Sequence, residues 1–259
     1  MRYSRVLMVI SIWALFLLTM PPQSGAETRT ESLADASLDV TKIIDQLYVA
    51  DDLRNVQMEH YTSIRKYTAE NKRFKKHAEV EVAECYSATA GKQFVTLSES
   101  GSRIIRNRVI HKLIDTESEA FTSNIRQQTR FSHENYHFRL LGTEEIEGRP
   151  AFVLEVKPKQ KEKYLVEGKI WVDQNDFAIT KIEGRPAKKP SFWTRSVFFV
   201  RRYGKIAGLW LPVLTSSESN VLIAGKSTLE VQYDNYTVQT SQQKEVATSV
   251  SCQVQREGI

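Results

Sequence analysis

Apolar side chains recur at every second position over much of the chain beyond residue 135, and this alternation is the strongest constraint on the fold. Tyr136, Phe138 and Leu140 alternate with polar or charged residues, and further runs of the same kind follow as far as Tyr233. A period of two residues places successive side chains on opposite faces of a β-strand. Short turn-forming segments separate the runs. The pattern predicts one large antiparallel sheet, curled into a barrel or half-barrel.

Two segments have a helical period instead. Leu38–Val56 contains no Gly or Pro, and Val40, Ile43 and Leu47 fall on one stripe of a helix. A second helix is predicted to begin after Ser102, where Ile and Val residues recur at helical spacing beneath a basic outer face. The fold class is therefore α+β, and mainly antiparallel β.

The N-terminal segment has the features of a secretory signal peptide. Two arginines precede the apolar run Val6–Met20, and small residues end at Ala26. The run is shorter than the ~20 apolar residues of a membrane-spanning helix. We therefore expect cleavage after Ala26 and export. The predicted organisation is a signal at 1–26, a flexible segment at 27–37, one domain at 38–240 and a polar tail at 241–259.

Charge and motifs argue against several classes of function. The net charge of +5 is small and both signs are interspersed, so a nucleic-acid-binding protein is not indicated. The sequence contains no phosphate-binding loop, no dinucleotide-binding glycine pattern and no nucleophile elbow. We predict neither an enzyme nor a cofactor.

One motif leaves a catalytic alternative open. His133–His137 reads H-E-x-x-H, which binds zinc when both imidazoles share one face of a helix. Here the alternation that begins at Tyr136 favours a strand, which would separate the two rings. A zinc hydrolase using His133 and His137 is therefore the least favoured interpretation, and no metal site is predicted.

The chain has two cysteines, Cys85 and Cys252. Export would place them in an oxidising compartment, where they can form a disulfide. Two free thiols remain the alternative, because the sequence does not give their separation.

Aromatic residues are concentrated in the C-terminal half of the chain. Large rings on the concave side of a curled sheet can form the wall of an apolar ligand cavity. Strand alternation prevents all of them from facing inward, so ordinary core packing accounts for some. The candidates for a lipid-binding cavity are Trp171, Phe177, Trp193, Phe198 and Trp210.

Several framework segments resemble LolA-like proteins, the outer membrane lipoprotein-sorting family. The resemblance covers roughly residues 38–240 and rests on hydrophobic framework features rather than on catalytic residues. The segments that carry it are Gly101–Val109, Glu134–Phe138, Gly168–Asp173, Phe177–Gly184, Tyr203–Lys205 and Gly208–Pro212.

The resemblance implies an unclosed β-barrel of about nine to eleven strands, with helices covering a hydrophobic concave face. It further implies a monomeric periplasmic carrier that binds acyl chains of lipoproteins or other lipids and helps to move them toward the outer membrane. Its partners would be the lipid and an inner- or outer-membrane transport protein. The alternative is a lipid-sensing regulatory module of the same fold.

Overall fold

The computed structural model describes residues 27–120, 123–189 and 194–240. The chain divides into a unit of Met1–Leu38, of which only a helical stretch is described, and a unit of Asp39–Ile259. The predicted signal at 1–26 and the predicted tail at 241–259 lie outside the described residues.

Ten antiparallel strands form one sheet, in the order β3-β2-β1-β10-β9-β8-β7-β6-β5-β4. Within the described residues the outermost strands β3 and β4 do not pair with each other, so the sheet is open. This confirms the predicted fold class and strand number. The strands are β1 (Met58–Asn71), β2 (Lys76–Ser87), β3 (Gly91–Gly101), β4 (Tyr136–Ile146), β5 (Arg149–Pro158), β6 (Val166–Asp173), β7 (Ile179–Pro186), β8 (Thr194–Ile206), β9 (Leu209–Val221) and β10 (Gly225–Thr240).

The first helix is longer than predicted. Helix α1 spans Glu27–Gln57, so it begins well before Leu38 and includes residues 27–37, whose flexibility stays a prediction. No Gly or Pro interrupts the sequence between Ala26 and Gln57, and Leu33, Ala34 and other helix-forming residues continue the helix toward the N-terminus.

The second predicted helix is broken into parts. Ser102 is followed by α2 (Arg103–Ile105), a π-helical segment (Arg106–Ile110) and α3 (His111–Ala120), and α4 (Ser123–Thr129) comes next. Ser102 holds the first turn through its carbonyl oxygen, which accepts the N–H of Arg106. Its hydroxyl makes no capping bond. No helix among the described residues combines the length and the apolar character needed to cross a bilayer.

Two hydrophobic clusters cover different parts of the sheet. Under α1, Ile43, Ile44 and Leu47 pack on β4–β8, and under the π-helical segment and α3, Ile110 and Ile114 pack on β1, β2 and β10. We call these the α1 half and the α3 half.

Both halves lie on the same face of the sheet. Phe199 of β8 pairs with Ser217 of β9, which pairs with Leu229 of β10, and residues directly opposite in neighbouring strands share a face. Phe199 packs against the α1 cluster and Leu229 against the α3 cluster. The helical layer therefore covers one face of the sheet, as predicted.

Candidate functional site

A cavity of about 410 Å³ lies between α1 and the strands of the α1 half. Its apolar lining includes Leu47 from α1, Phe131 after α4, and Ile179 and Ile182 from β7. These residues belong to or pack against the α1 cluster, so the cavity is continuous with the hydrophobic core. The volume falls within the ~300–1,000 Å³ of ligand-binding pockets.

The turn between β6 and β7 forms one wall of the cavity. The fully buried carboxylate of Asp173 accepts the N–H groups of Asn175 (2.9 Å) and Asp176 (2.8 Å) and pairs with Arg149. Burial raises the pKa of Asp173, but the hydrogen bonds from Arg149 and the two backbone groups outweigh this, so its pKa lies below the usual value. The turn places Phe177 in the left-handed region (φ 46°), which is unusual for a bulky residue.

A second acidic residue of the same turn organises the rim. Asp176 Oδ2 accepts hydrogen bonds from Lys205 Nζ (2.7 Å), Trp210 Nε1 (2.9 Å) and Arg149 (3.0 Å). Burial raises the pKa of Asp176, but the hydrogen bonds from Lys205 and Trp210 hold it below its usual value. Asp176 is therefore ionised at neutral pH and fixes the indole of Trp210 at the cavity.

On the opposite side of the rim, Arg130 ties α1 to the segment after α4. Its guanidinium lies 3.8 Å from the ring centre of Tyr48 and donates to the Tyr48 carbonyl oxygen. It also forms ion pairs with Asp51 (3.2 Å) and Asp52 (2.8 Å). All of these contacts are partly exposed, so α1 is held at this point by interactions that water can replace at modest cost.

The α3 half contains a largely buried ionic network. Arg65 of β1 donates from Nε to Glu84 of β2 (2.6 Å) and pairs with Glu117 of α3 (2.5 Å). Glu84 also accepts from Tyr61 (2.8 Å) and lies 3.0 Å from Lys92 Nζ. Arg65 and Glu84 are each 1% exposed, so the centre of the network that joins helix to sheet is out of reach of water.

The carboxylate of Glu84 is strongly stabilised in its ionised form. Burial raises its pKa, but Lys92 and Arg65 outweigh burial and hold the pKa at about 2. The pKa of Glu117 is also lowered: burial raises it, and Arg65 and Arg201 lower it by more. Both acids are therefore negative at neutral pH and compensate the buried cations.

Arg201 of β8 lies where the two halves meet. It pairs in register with Ile182 on one side and Thr215 on the other, and its Nε donates to Thr215 Oγ1 (3.0 Å). Tyr233 of the α3 cluster hydrogen-bonds the same hydroxyl. Among the described side chains, Arg201 has no carboxylate within ion-pair distance.

The structure brings together two of the five predicted cavity residues. Phe177 and Trp210 line the cavity.

Trp171 packs with Ala151 and Val153 in a small cluster on the opposite face of β6, because its neighbours in β6 face the α1 half. Phe198 is 48% exposed and also faces away from the helices, since the adjacent Phe199 faces them. Trp193 lies outside the described residues.

Two other predictions concern histidine and cysteine. His133 lies in a turn and His137 on β4, so this segment lacks the helix that a zinc site on H-E-x-x-H requires. Among the described residues, no three potential metal ligands gather at one place. Cys85 lies buried on β2, and Cys252 lies outside the described residues, so the disulfide between them stays a prediction.

Sequence reasoning missed the Arg65–Glu84–Glu117 network and the tether of Arg130 to α1. Arg65 sits at an alternate position between Ser63 and Tyr67, so the two-residue period does place it on the covered face. Its partners are 19 and 52 residues away in sequence, and no local pattern connects them.

Several solved structures match the chain at low sequence identity. Solved structures that match include a DUF1329 family protein from Desulfovibrio piger, with 15% identity, 80% of this chain and 94% of that chain covered, and a TM-score of 0.39. A putative outer membrane lipoprotein-sorting protein domain from Vibrio parahaemolyticus matches with 13% identity, 75% and 92% coverage, and a TM-score of 0.38. A LolA superfamily protein from Nitrosomonas europaea matches with 13% identity, 76% and 92% coverage, and a TM-score of 0.34.

Proteins of the family that the sequence resembles are thus among the solved structures that match. No curated protein sequence matches the chain. A family model described as "Uncharacterized protein" matches residues 116–249, slightly more than half of the 259 residues. The chain belongs to the family that this model describes.

Proposed function

We propose that this protein is a periplasmic carrier that holds an acyl chain of a lipid or lipoprotein in the cavity beneath α1 and helps to move it toward the outer membrane. The observation that supports this most directly is the cavity itself: a space lined by apolar residues of the core on one part of its wall and by charged side chains such as Arg130 and Lys205 on another. Such a space suits a hydrocarbon chain and offers a polar head group an exit at the rim.

The energetics favour this occupant. Each CH₂ group taken out of water stabilises the complex by about 0.8 kcal/mol, so shielding even part of a chain favours binding. The proposal needs α1 to move, and the Arg130 ion pairs with Asp51 and Asp52 are partly exposed. Exposed pairs contribute only about 0–1 kcal/mol, so breaking these pairs costs little.

Two adjacent residues of α1 give a matched test. Ala50 lines the cavity, whereas Val49 is 52% exposed and does not. Ala50→Trp should fill the cavity and weaken binding of a fluorescent fatty acid to the delipidated protein at least tenfold. Val49→Trp adds a large ring to the same helix outside the cavity and should bind as the unsubstituted protein does. Absence of probe binding to the unsubstituted protein, or equal affinity of the two variants, would contradict the proposal.

Transfer kinetics separate a carrier from a lipid-sensing regulator with the same cavity. A carrier should deliver the bound probe to acceptor vesicles faster than the probe escapes into buffer alone. A protein that retains the probe and instead captures one membrane regulator in a pull-down would support the sensor.

A further inference from the structure

Two neighbouring β-hairpins end in one surface that the cavity does not use. The turn between β1 and β2 (residues 72–75) and the turn between β9 and β10 (residues 222–224) lie side by side, because β1 pairs with β10 and Asn71 is opposite Ser227. We call these turns, with the flanking Lys76 and Lys226, the basic tip. It lies at one end of β9, and the cavity-lining Leu209 is at the other.

Hydrogen bonds fix the two turns to each other. Asn71 Nδ2 donates to the Ala224 carbonyl oxygen and to Ser227 Oγ, both at 2.8 Å, and Asn71 Oδ1 accepts the N–H of Phe74 at 2.8 Å. Arg73 donates to the Ile223 carbonyl oxygen at 3.0 Å. The basic tip is therefore a built surface in which each turn supports the other.

The basic tip exposes large apolar side chains to solvent. Ile223 is 65% exposed, Phe74 51% and Leu222 39%. Exposed apolar residues that occur singly need no explanation, but three on two adjoining turns form a patch. None of the three belongs to a hydrophobic cluster of the described residues, so packing within the fold does not explain them.

Positive charge surrounds this apolar patch. Five cationic residues lie on the two turns or beside them, and Glu218 is the acid that pairs with one of them, at 3.4 Å from Lys226. Within the described part of the chain, Lys72, Lys75 and Lys76 form no ion pair. The five are Lys72, Arg73, Lys75, Lys76 and Lys226.

We propose that the basic tip docks on the surface of an anionic lipid bilayer. Phe74, Leu222 and Ile223 would enter the boundary between head groups and acyl chains, while the surrounding cations contact lipid phosphates. Apolar side chains ringed by Lys and Arg are the combination that binds such an interface. A nucleic acid or an acidic protein would use the charges but would leave the exposed aliphatic residues unexplained. This inference does not depend on the cavity, which is lined by other residues.

Vesicle flotation tests the proposal with the purified chain. Binding to phosphatidylcholine vesicles that contain one third phosphatidylglycerol should exceed binding to pure phosphatidylcholine at least tenfold, and it should weaken as salt is added. Equal binding to the two vesicle types, or no binding to either, would overturn the proposal.

Matched variants separate the apolar and charged contributions. Phe74→Ser/Ile223→Ser and Lys72→Ser/Lys75→Ser should each reduce binding at least tenfold. Val95→Ser/Leu97→Ser changes two similarly exposed apolar residues on the edge strand β3 and should leave binding unchanged.

Retained vesicle binding by the Phe74/Ile223 variant, or loss in the β3 control, would refute docking through the tip. Tight DNA binding without vesicle binding would identify a polyanion site instead.

A tryptophan probe keeps the test valid should a serine variant unfold. Phe74→Trp preserves an apolar ring at the tip, and its fluorescence should shift to the blue on addition of the anionic vesicles. Val95→Trp should show no shift. The opposite pattern would count against insertion of the tip.

Discussion

The two halves of the covered face are built from the same kind of strand but held together differently. In the α1 half, aliphatic side chains meet a helix whose ion pairs lie at the exposed rim, and a cavity of about 410 Å³ remains. In the α3 half, the Arg65–Glu84–Glu117 network joins helix to sheet, with Arg65 and Glu84 fully buried and Glu117 largely buried. Apolar contacts have no fixed direction, so a helix can shift over them, whereas a buried ion pair requires one geometry.

Under the proposed function, this difference gives the two helical layers different roles. The α3 layer is fixed to β1 and β2 and should stay in place while the protein works. Under the proposed function, helix α1 moves over an apolar floor after the partly exposed contacts at Arg130 are released. The two halves should therefore differ in how much their polar contacts contribute to the free energy of unfolding.

The largest effect is expected from breaking the buried network. Arg65→Met leaves Glu117 without its ion-pair partner and leaves Glu84 with Lys92 as its remaining cation. Removing one member of a buried ion pair destabilises by about 3–5 kcal/mol, because the remaining charge is buried without compensation. Urea unfolding should show this loss in the free energy of unfolding.

An exposed pair provides the control. Arg185 lies 2.9 Å from Glu167 on neighbouring strands, and its side chain is largely exposed. Arg185→Met should leave the urea midpoint unchanged, because water replaces such a pair. Similar losses for the two variants would show that the buried network does not hold the α3 half.

Acid should weaken the α3 half through Glu84. Its pKa is about 2 in the folded protein against an ordinary value of 4.5. Because the folded pKa is the lower one, this stabilisation is complete above pH 4.5 and is lost as the pH falls from 4.5 toward 2. The loss from this single group amounts to about 3 kcal/mol.

Comparison with Glu84→Gln isolates that contribution from other acids. The amide does not titrate, so the difference in the free energy of unfolding between the unsubstituted protein and the variant should shrink across this pH range. A difference that stays constant from neutral pH down to the lowest pH at which both proteins fold would contradict the assignment to Glu84.

The sequence predicts the sheet well because strand alternation is local. The strands from Tyr136 to Tyr233 follow from residues two positions apart, and their neighbours along the chain are also neighbours in the sheet. The exception is the pairing of β1 with β10, which closes a long stretch of chain and has no local signal. Helix α1 begins before its predicted start at Leu38 because residues on the N-terminal side of the apolar stripe also have high helix propensity.

The site is less predictable because it depends on direction and distance. Trp171 and Phe177 are six residues apart and equally aromatic, but Trp171 faces away from the helices, whereas Phe177 reaches the cavity through a turn with positive φ. The rim contact between Asp176 and Trp210 joins residues 34 positions apart. The composition indicates that aromatic residues are concentrated in the C-terminal half. Only the folded chain shows which of these residues line the cavity.

The smallest effect is expected at Arg201, on the boundary between the halves. Like Arg65 it lies on the covered face, but it has no carboxylate within ion-pair distance among the described side chains. Arg201→Met removes the hydrogen bond to Thr215 and the longer-range attraction to Glu117, but it also removes the cost of burying a cation that has no contacting carboxylate. Thr215 keeps Tyr233 as a partner. The free energy of unfolding should therefore change by less than about 1 kcal/mol in the same urea titration. A loss as large as that of Arg65→Met would mean that the longer-range attraction between Arg201 and Glu117 matters as much as a contacting ion pair, and that α1 and α3 are not held independently.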